Sequence, residues 1–270
     1  EEVENILSMI DVKAFVIGET TEERSIEIAL DGSAPVVLDI DKMRDLWFKT
    51  SYLFDIRQVG EECAKERFQN YKKQPLIYKF PASFTGKLDN AAYRWPAKEN
   101  RPVAAIIREK GSNGDREMAW ALYMAGFEVK DVHMTDLISG RETLEEIQMI
   151  VFVGGFSNAD TLGSAKGWAG AFLYNEKAKA ALDKFYARKD TLSLGVCNGC
   201  QLMAELGLIT PQKREISPKM LHNTSHKYES NFVGVTIEDS PSVLLNSLKG
   251  SKLGIWVAHG EGKFGFPAQE

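Results

Sequence analysis

LSLGVCNGCQLMAELGL, residues 192–208, decides how this chain is read. Residues 192–196 form an apolar run of strand character, and 199–208 have the spacing of a helix. Between them stands Gly195-Val196-Cys197-Asn198-Gly199. Small residues two before and two after a central side chain are the pattern of a nucleophile elbow, here with sulfur in place of the serine oxygen. A sharp strand-to-helix turn strains the central residue, and bulky neighbours would clash. The turn projects the sulfur into a cleft at a helix N-terminus, where the dipole favours thiolate over thiol. The Asn198 N–H is then free to face a developing oxyanion. Two other readings stay open: a buried cysteine at a tight turn, and a redox pair Cys197-x-x-Cys200. Three cysteines exclude a four-cysteine zinc site. Cys200 reads as helix packing, and so does Cys63 in the helical stretch EECAKERF.

Outward from the elbow the same grammar repeats. VAAIIR (103–108) is a continuous apolar run, as expected of a strand covered on both faces. DREMAWALYMAGF (115–127) is helical, EVKDVH (128–133) a strand, and MIVFV (149–153) a strand ending in Gly154-Gly155. EKAKAALDKFYARKD (176–190) is an amphipathic helix. The alternation predicts an α/β fold with a mostly parallel, doubly wound sheet. In such sheets active sites lie outside the carboxyl ends of the strands, here residues 109–114, 154–158 and 197–198.

A smaller α+β segment precedes it. KAFVIGET (13–20), RSIEIAL (24–30) and APVVLDI (34–40) are β-rich runs. DKMRDLWFKTSYLFDI (41–56) has helical spacing, with Asp41 as N-cap and Leu46, Phe48, Leu53 and Phe54 on its apolar side. Residues 74–99, with Pro75, Pro81 and Pro96 among aromatics and charges, read as a linker. The expected division is therefore 1–73, linker 74–99, and 100–270.

Composition narrows the function classes. Of 270 residues 44% are apolar and 26% charged, which is ordinary globular composition. The net charge is −5 and neither half of the chain is a basic block, which argues against nucleic acid or an anionic membrane surface as partner. No apolar run approaches the ~20 residues of a membrane span. Three cysteines cannot all pair, so a reducing cytoplasm is the expected setting. The acidic start, EEVENILSMI, lacks the basic region and apolar stretch of a secretory signal and reads as the middle of a polypeptide.

A thiolate nucleophile calls for a histidine base and a group to orient it. Of four histidines, His133 ends a strand, and His222 and His226 lie in the polar segment LHNTSHKYE. His259 follows the apolar strand LGIWVA (253–258) and opens His-Gly-Glu-Gly-Lys. His259 and Glu261 point the same way if the chain stays extended. The carboxylate then accepts from one ring nitrogen while the other faces the sulfur. Gly154-Gly155-Phe156-Ser157-Asn158 is the other candidate, because a Gly-Gly bend lets backbone N–H groups approach a bound carbonyl. A phosphate loop or a mere turn are its alternatives.

Residues 100–265 resemble a class I (triad) glutamine amidotransferase domain of flavodoxin-like fold. More narrowly, they resemble the glutaminase domain of the phosphoribosylformylglycinamidine synthases of purine biosynthesis. The stretches that carry the likeness are REKGSNGDREMAWALYMAGFEV (108–129), VGGFSNADTLGSAKGWAG (153–170), GVCNGCQLMAELGL (195–208), HNTSHKYESNFVGVTI (222–237) and AHGEGKF (258–264). FVIGETTEE and DLWFKTSYLFDIRQ, within residues 1–73, are similar to the end of the synthetase portion in single-chain forms. The resemblance implies that Cys197 attacks the glutamine side-chain amide, that His259 shuttles protons and that Glu261 orients it. It implies an oxyanion site of N–H groups near Gly155, Phe156 and Asn198, with Gln201 beside the bound glutamine and Asn223 and Ser225 at its α-groups. No cofactor is implied for this stretch. ATP and Mg²⁺ belong to the synthetase portion, the implied partner within the same polypeptide. The family continues beyond AHGEGKF with further strands, so the resemblance implies a fragment truncated at its C-terminus. Two other readings remain: a catalytically silent docking or allosteric domain of such a synthase, and a cysteine hydrolase of another amide.

Overall fold

The computed structural model describes residues 2–10, 12–70, 73, 76–86, 101–210 and 216–267. The chain divides into two compact units, Glu1–Gln74 and Pro75–Glu270.

The first unit holds helix α1 (Glu2–Met9), an antiparallel pair of β1 (Ser25–Ile28) and β2 (Val36–Asp39), and helices α2 (Ile40–Val59) and α3 (Glu61–Asn70). The N-cap of α2 is Asp39, whose carboxylate accepts from the Lys42 N–H at 2.9 Å, and not the expected Asp41. Asp41 sits inside the first turn and pairs with Arg24 instead. Residues 13–20 form no strand, and Phe15, Val16 and Ile17 are exposed. The expected apolar side of α2 is also exposed, Leu46, Leu53 and Phe54 included.

The expected linker falls largely on residues 74, 75 and 87–99, outside the described residues. Its described part goes with the second unit: Lys79 bridges Lys252, and Phe80 stacks on Phe84 at 4.3 Å between ring centroids.

In the second unit, β3 (Val103–Arg108), the short β4 (Ser112–Asn113), helix α4 (Asp115–Met124), β5 (Glu128–His133) and helix α5 (Met134–Ser139) come first. Then follow β6 (Met149–Phe152), the short β7 (Gly154–Gly155), helices α6 (Lys166–Leu173) and α7 (Glu176–Ala187), β8 (Leu192–Gly195) and helix α8 (Asn198–Glu205). The main sheet is parallel with strand order β5-β3-β6-β8. Because side chains alternate across a strand, Ala105 and Ile107 face one layer and Ala104 and Ile106 the other. The first layer contains side chains of α5, α6, α7 and α8, centred on Phe152, Trp168 and Phe172; the second is covered by α4. Trp168 and Phe172 meet Phe152 edge-on, each at 6.1 Å. The sheet is thus doubly wound. The order reverses at β3, which opens a crevice between the loops after β3 and β6.

Two antiparallel ribbons complete the unit: β10 (Glu229–Thr236) with β11 (Lys252–His259), and β9 (Lys219–Leu221) with β12 (Lys263–Gly265). No helix among the described residues is long and apolar enough to cross a membrane.

Candidate active site

Close packing forces the elbow. A Cβ on Gly199 would stand 2.0 Å from the Phe152 carbonyl oxygen, and one on Gly195 would stand 2.7 Å from that of Gly199. Helix α8 can start hard against β6 only because both positions lack side chains. Cys197 adopts φ 52° and ψ −109°, outside the regions an L-residue normally occupies. Such strain costs on the order of 1–3 kcal/mol and persists only where the surroundings over-determine it. Its carbonyl anchors the helix by accepting from the N–H groups of Cys200 (2.9 Å) and Gln201 (3.1 Å). The side chain is exposed, and Sγ lies 3.8 Å from the carbonyl oxygen of Ala258, the residue before His259. Cys200 differs: burial pushes its thiol up, and the neighbouring Cys197 adds to that. Of the two, Cys197 is the accessible thiol.

His259 ends β11, opposite Glu229 of β10. The chain then bends at Gly260 and Glu261, so the extended alternation expected to align His259 with Glu261 is lost. The structure pairs these side chains differently. His259 Nδ1 meets Asn223 Oδ1 at 2.9 Å. The Glu261 carboxylate accepts from the Ser164 N–H at 2.6 Å and from its hydroxyl, with His222 Nδ1 at 3.4 Å. Burial alone would raise the Glu261 carboxyl. The two Ser164 hydrogen bonds, then His222 and Lys166, outweigh it and hold the group below the usual glutamate value.

A chain of polar side chains ties the crevice together. Buried Asn198 accepts from the Ser157 N–H (3.1 Å) and donates to Gln201 Oε1 (2.8 Å). Gln201 Nε2 donates to the Glu261 backbone oxygen (3.0 Å). One strap therefore joins the loop after β6, the start of α8 and the bend after β11. Gln201, expected beside a substrate, has both ends of its amide engaged in that strap. Ser225 is buried and its hydroxyl donates to Glu229.

At the expected oxyanion site, Gly155 is buried at φ 111°, where a Cβ would stand 2.7 Å from the Asn113 nitrogen. The Phe156 N–H donates to the Gly111 oxygen at 2.9 Å, so it is already engaged, and its ring is exposed. The Asn198 N–H lies in the first turn of α8, where an N–H has no intrahelical acceptor.

Sequence reasoning missed Ser164, although it lies within the quoted LGSAKG segment. It meets Glu261 across 97 positions, and no local pattern reports such a contact. It also missed Gly111, whose φ of 88° leaves a Cβ only 2.3 Å from the Phe156 oxygen. The Gly-Ser-Asn-Gly run was its one available signal.

A strained, exposed cysteine at the carboxyl edge of a doubly wound parallel sheet, with a histidine-bearing arm next to it, defines an α/β protein with a cysteine elbow. Residues 101–270 match the CobB/CobQ-like glutamine amidotransferase domain family, and the chain belongs to that family. It is 42% identical over 268 residues to the probable phosphoribosylformylglycinamidine synthase, chloroplastic/mitochondrial, of Arabidopsis thaliana, a match covering 97% of this chain and 19% of that protein. With the phosphoribosylformylglycinamidine synthase of Homo sapiens it shares 39% identity over 267 residues, 94% of this chain and 20% of that protein. The chain thus spans about a fifth of the length of these relatives. Among solved structures it is similar to PurLQS from Thermotoga maritima, with a TM-score of 0.52 and 28% identity over 63% of this chain and 71% of that one.

Proposed function

We propose that this chain is the glutamine-hydrolysing part of a phosphoribosylformylglycinamidine synthase acting in purine biosynthesis. The observation that carries the reading is the exposed Cys197 on its strained elbow, with Sγ 3.8 Å from the carbonyl that precedes His259. His259 takes the Cys197 thiol proton as Sγ attacks the side-chain amide carbon of glutamine, and the oxyanion faces the free N–H of Asn198 beside Gly155. The C–N bond breaks, and His259 gives its proton to the departing ammonia. Water, deprotonated by His259, then attacks the thioester; glutamate leaves and the thiol is restored. Glu261 anchors the arm through Ser164 and completes the site.

Residues 1–73 form the end of the synthetase portion, a reading supported by relatives that match nearly the whole chain. That portion, as partner, uses the ammonia with ATP and Mg²⁺ to convert formylglycinamide ribonucleotide to the amidine. The cytoplasm is the proposed compartment, supported by three free cysteines, whereas the Arabidopsis relative is named a chloroplastic/mitochondrial protein.

The test is labelling by a glutamine-analogue diazo-ketone followed by peptide mass spectrometry. Stoichiometric label on Cys197, lost in Cys197→Ser, supports the proposal. Label confined to Cys63 or Cys200 overturns it.

A further inference from the structure

Glutamine chemistry uses one of the two thiols in Cys197-x-x-Cys200 and leaves the other without a task. The backbone gives the pair a spacing of its own. Cys197 is the N-cap of α8, and its carbonyl oxygen accepts from the Cys200 N–H at 2.9 Å. That bond closes one helical turn, which sets the two Cα atoms about 5 Å apart. A disulfide spans Cα separations of roughly 4.4–6.8 Å. The spacer between the cysteines is also held. The buried Asn198 side chain accepts from the Ser157 N–H and donates to Gln201, and Gly199 is packed against the Phe152 carbonyl.

The surroundings of the two sulfurs differ. Cys197 is exposed and Cys200 half-buried. Burial pushes the Cys200 thiol up, and the charge of Cys197 adds to that, so the two sulfurs share one electrostatic neighbourhood. A dissolved oxidant therefore meets Cys197 first, while Cys200 waits beneath it with its proton in place. An accessible cysteine with a second thiol one turn away is the arrangement in which oxidation stops at a disulfide.

We propose that Cys197 and Cys200 form a reversible redox lock, in which a peroxide oxidises Cys197 and Cys200 closes a disulfide onto it. In the first step the Cys197 sulfur attacks one peroxide oxygen and the O–O bond breaks. Sulfenic acid forms on Cys197, and the leaving oxygen departs as water with the thiol proton. In the second step the Cys200 sulfur attacks the Cys197 sulfur and the S–O bond breaks. The S–S bond forms, and hydroxide leaves as water with the Cys200 proton. The two thiols together give up two electrons, and the peroxide takes both. Side-chain rotation brings the sulfurs together on a backbone already spaced for the bond. A dithiol reverses the step by exchange. Without Cys200, the sulfenic acid is open to further oxidation to sulfinic acid, which a dithiol cannot reduce. The effect of the lock on turnover rests on the glutaminase reading, because the disulfide removes the proposed nucleophile; the thiol chemistry itself does not depend on glutamine.

The experiment treats the full chain with hydrogen peroxide, blocks remaining thiols with N-ethylmaleimide, and maps unreduced peptides by mass spectrometry. Wild type is expected to fall from three reactive thiols to one, Cys63, with Cys197 and Cys200 joined in a single peptide. Dithiothreitol should return all three. In Cys200→Ser the same exposure should carry Cys197 to sulfinic acid, which dithiothreitol does not restore. Wild-type Cys197 that stays reduced, pairs with Cys63 or goes to sulfinic acid overturns the proposal, and these results need no variant to fold. Cys197 equally recoverable in a folded Cys200→Ser also overturns it. If the disulfide forms and reverses while the reduced chain never takes the diazo-ketone at Cys197, the glutaminase reading fails alone and the lock stands.

Discussion

The two halves of the candidate site are built by different physics. The cysteine half sits on the core sheet, where Phe152 and Ile150 are fully buried and backbone meets backbone at Gly195 and Gly199. The histidine half is a ribbon, β10 with β11, whose residues are largely half-buried or exposed, Trp256 among them. Little apolar burial fixes the bend after it. Side-chain hydrogen bonds do so: Asn223 on His259 and Gly262, Ser164 on Glu261, and Gln201 on the Glu261 carbonyl. Cys197 is therefore placed by close packing and His259 by polar contacts. The first is insensitive to pH, and the second is not.

Substitutions can break that contrast, beginning with the most damaging. Phe152→Ala removes the ring on which Trp168 and Phe172 pack, and should cost about 3–5 kcal/mol in denaturant unfolding of the second unit. A loss near that of a surface site would show that the sheet does not set the elbow. Gly199→Ala must push α8 away from the Phe152 carbonyl; a cost of about 1–3 kcal/mol is expected, with diazo-ketone labelling of Cys197 reduced even where the protein still folds.

Ser164→Ala attacks the polar half. It removes a hydrogen bond to a charged carboxylate, so about 1.5–3 kcal/mol should be lost at neutral pH. The pH dependence has a defined sign. Glu261 is held below its unfolded value of 4.5, so its contribution is full above that value and drains as pH falls through the lower folded one. Wild type should lose this stability on acidification, and Ser164→Ala should lose less. Parallel acid limbs in the two proteins would refute a pH-sensitive arm.

The smallest effect is expected in the first unit. Trp47 is 81% exposed on a helix with no buried residues, so Trp47→Ser should change stability by less than about 0.5 kcal/mol. A larger loss, measured on the isolated chain, would mean that the indole supports packing this structure does not contain.

Legibility followed the same division. Strand 103–108 was read with the bounds it has, because a strand covered on both faces announces itself as a short apolar run; 128–133 was also read with its bounds, although it is a polar, half-exposed edge strand. Helix α6, KGWAGAFL, was not read: it is apolar nearly all round, with Trp168 and Phe172 on the core, and carries no polar face to mark a period. Residues 13–20 had β composition and formed no strand, since composition cannot supply a neighbouring strand. The α2 cap was misplaced by two residues because Asp39 and Asp41 are equally good caps by type. At the site, Cys197 and its glycines were legible, whereas the partner of His259 was not.

What the sequence determined by itself was whatever depends on neighbours along the chain: strand periods, the small residues an elbow needs, and a histidine placed at a strand's end. The tertiary structure alone decided which side chain meets which across 36 or 97 positions, including the choice of Asn223 for His259 and Ser164 for Glu261. The physical reason is the bend at Gly260 and Glu261. Two-residue alternation holds only while a chain stays extended, and once it turns, partners are chosen by what the fold brings within hydrogen-bonding distance.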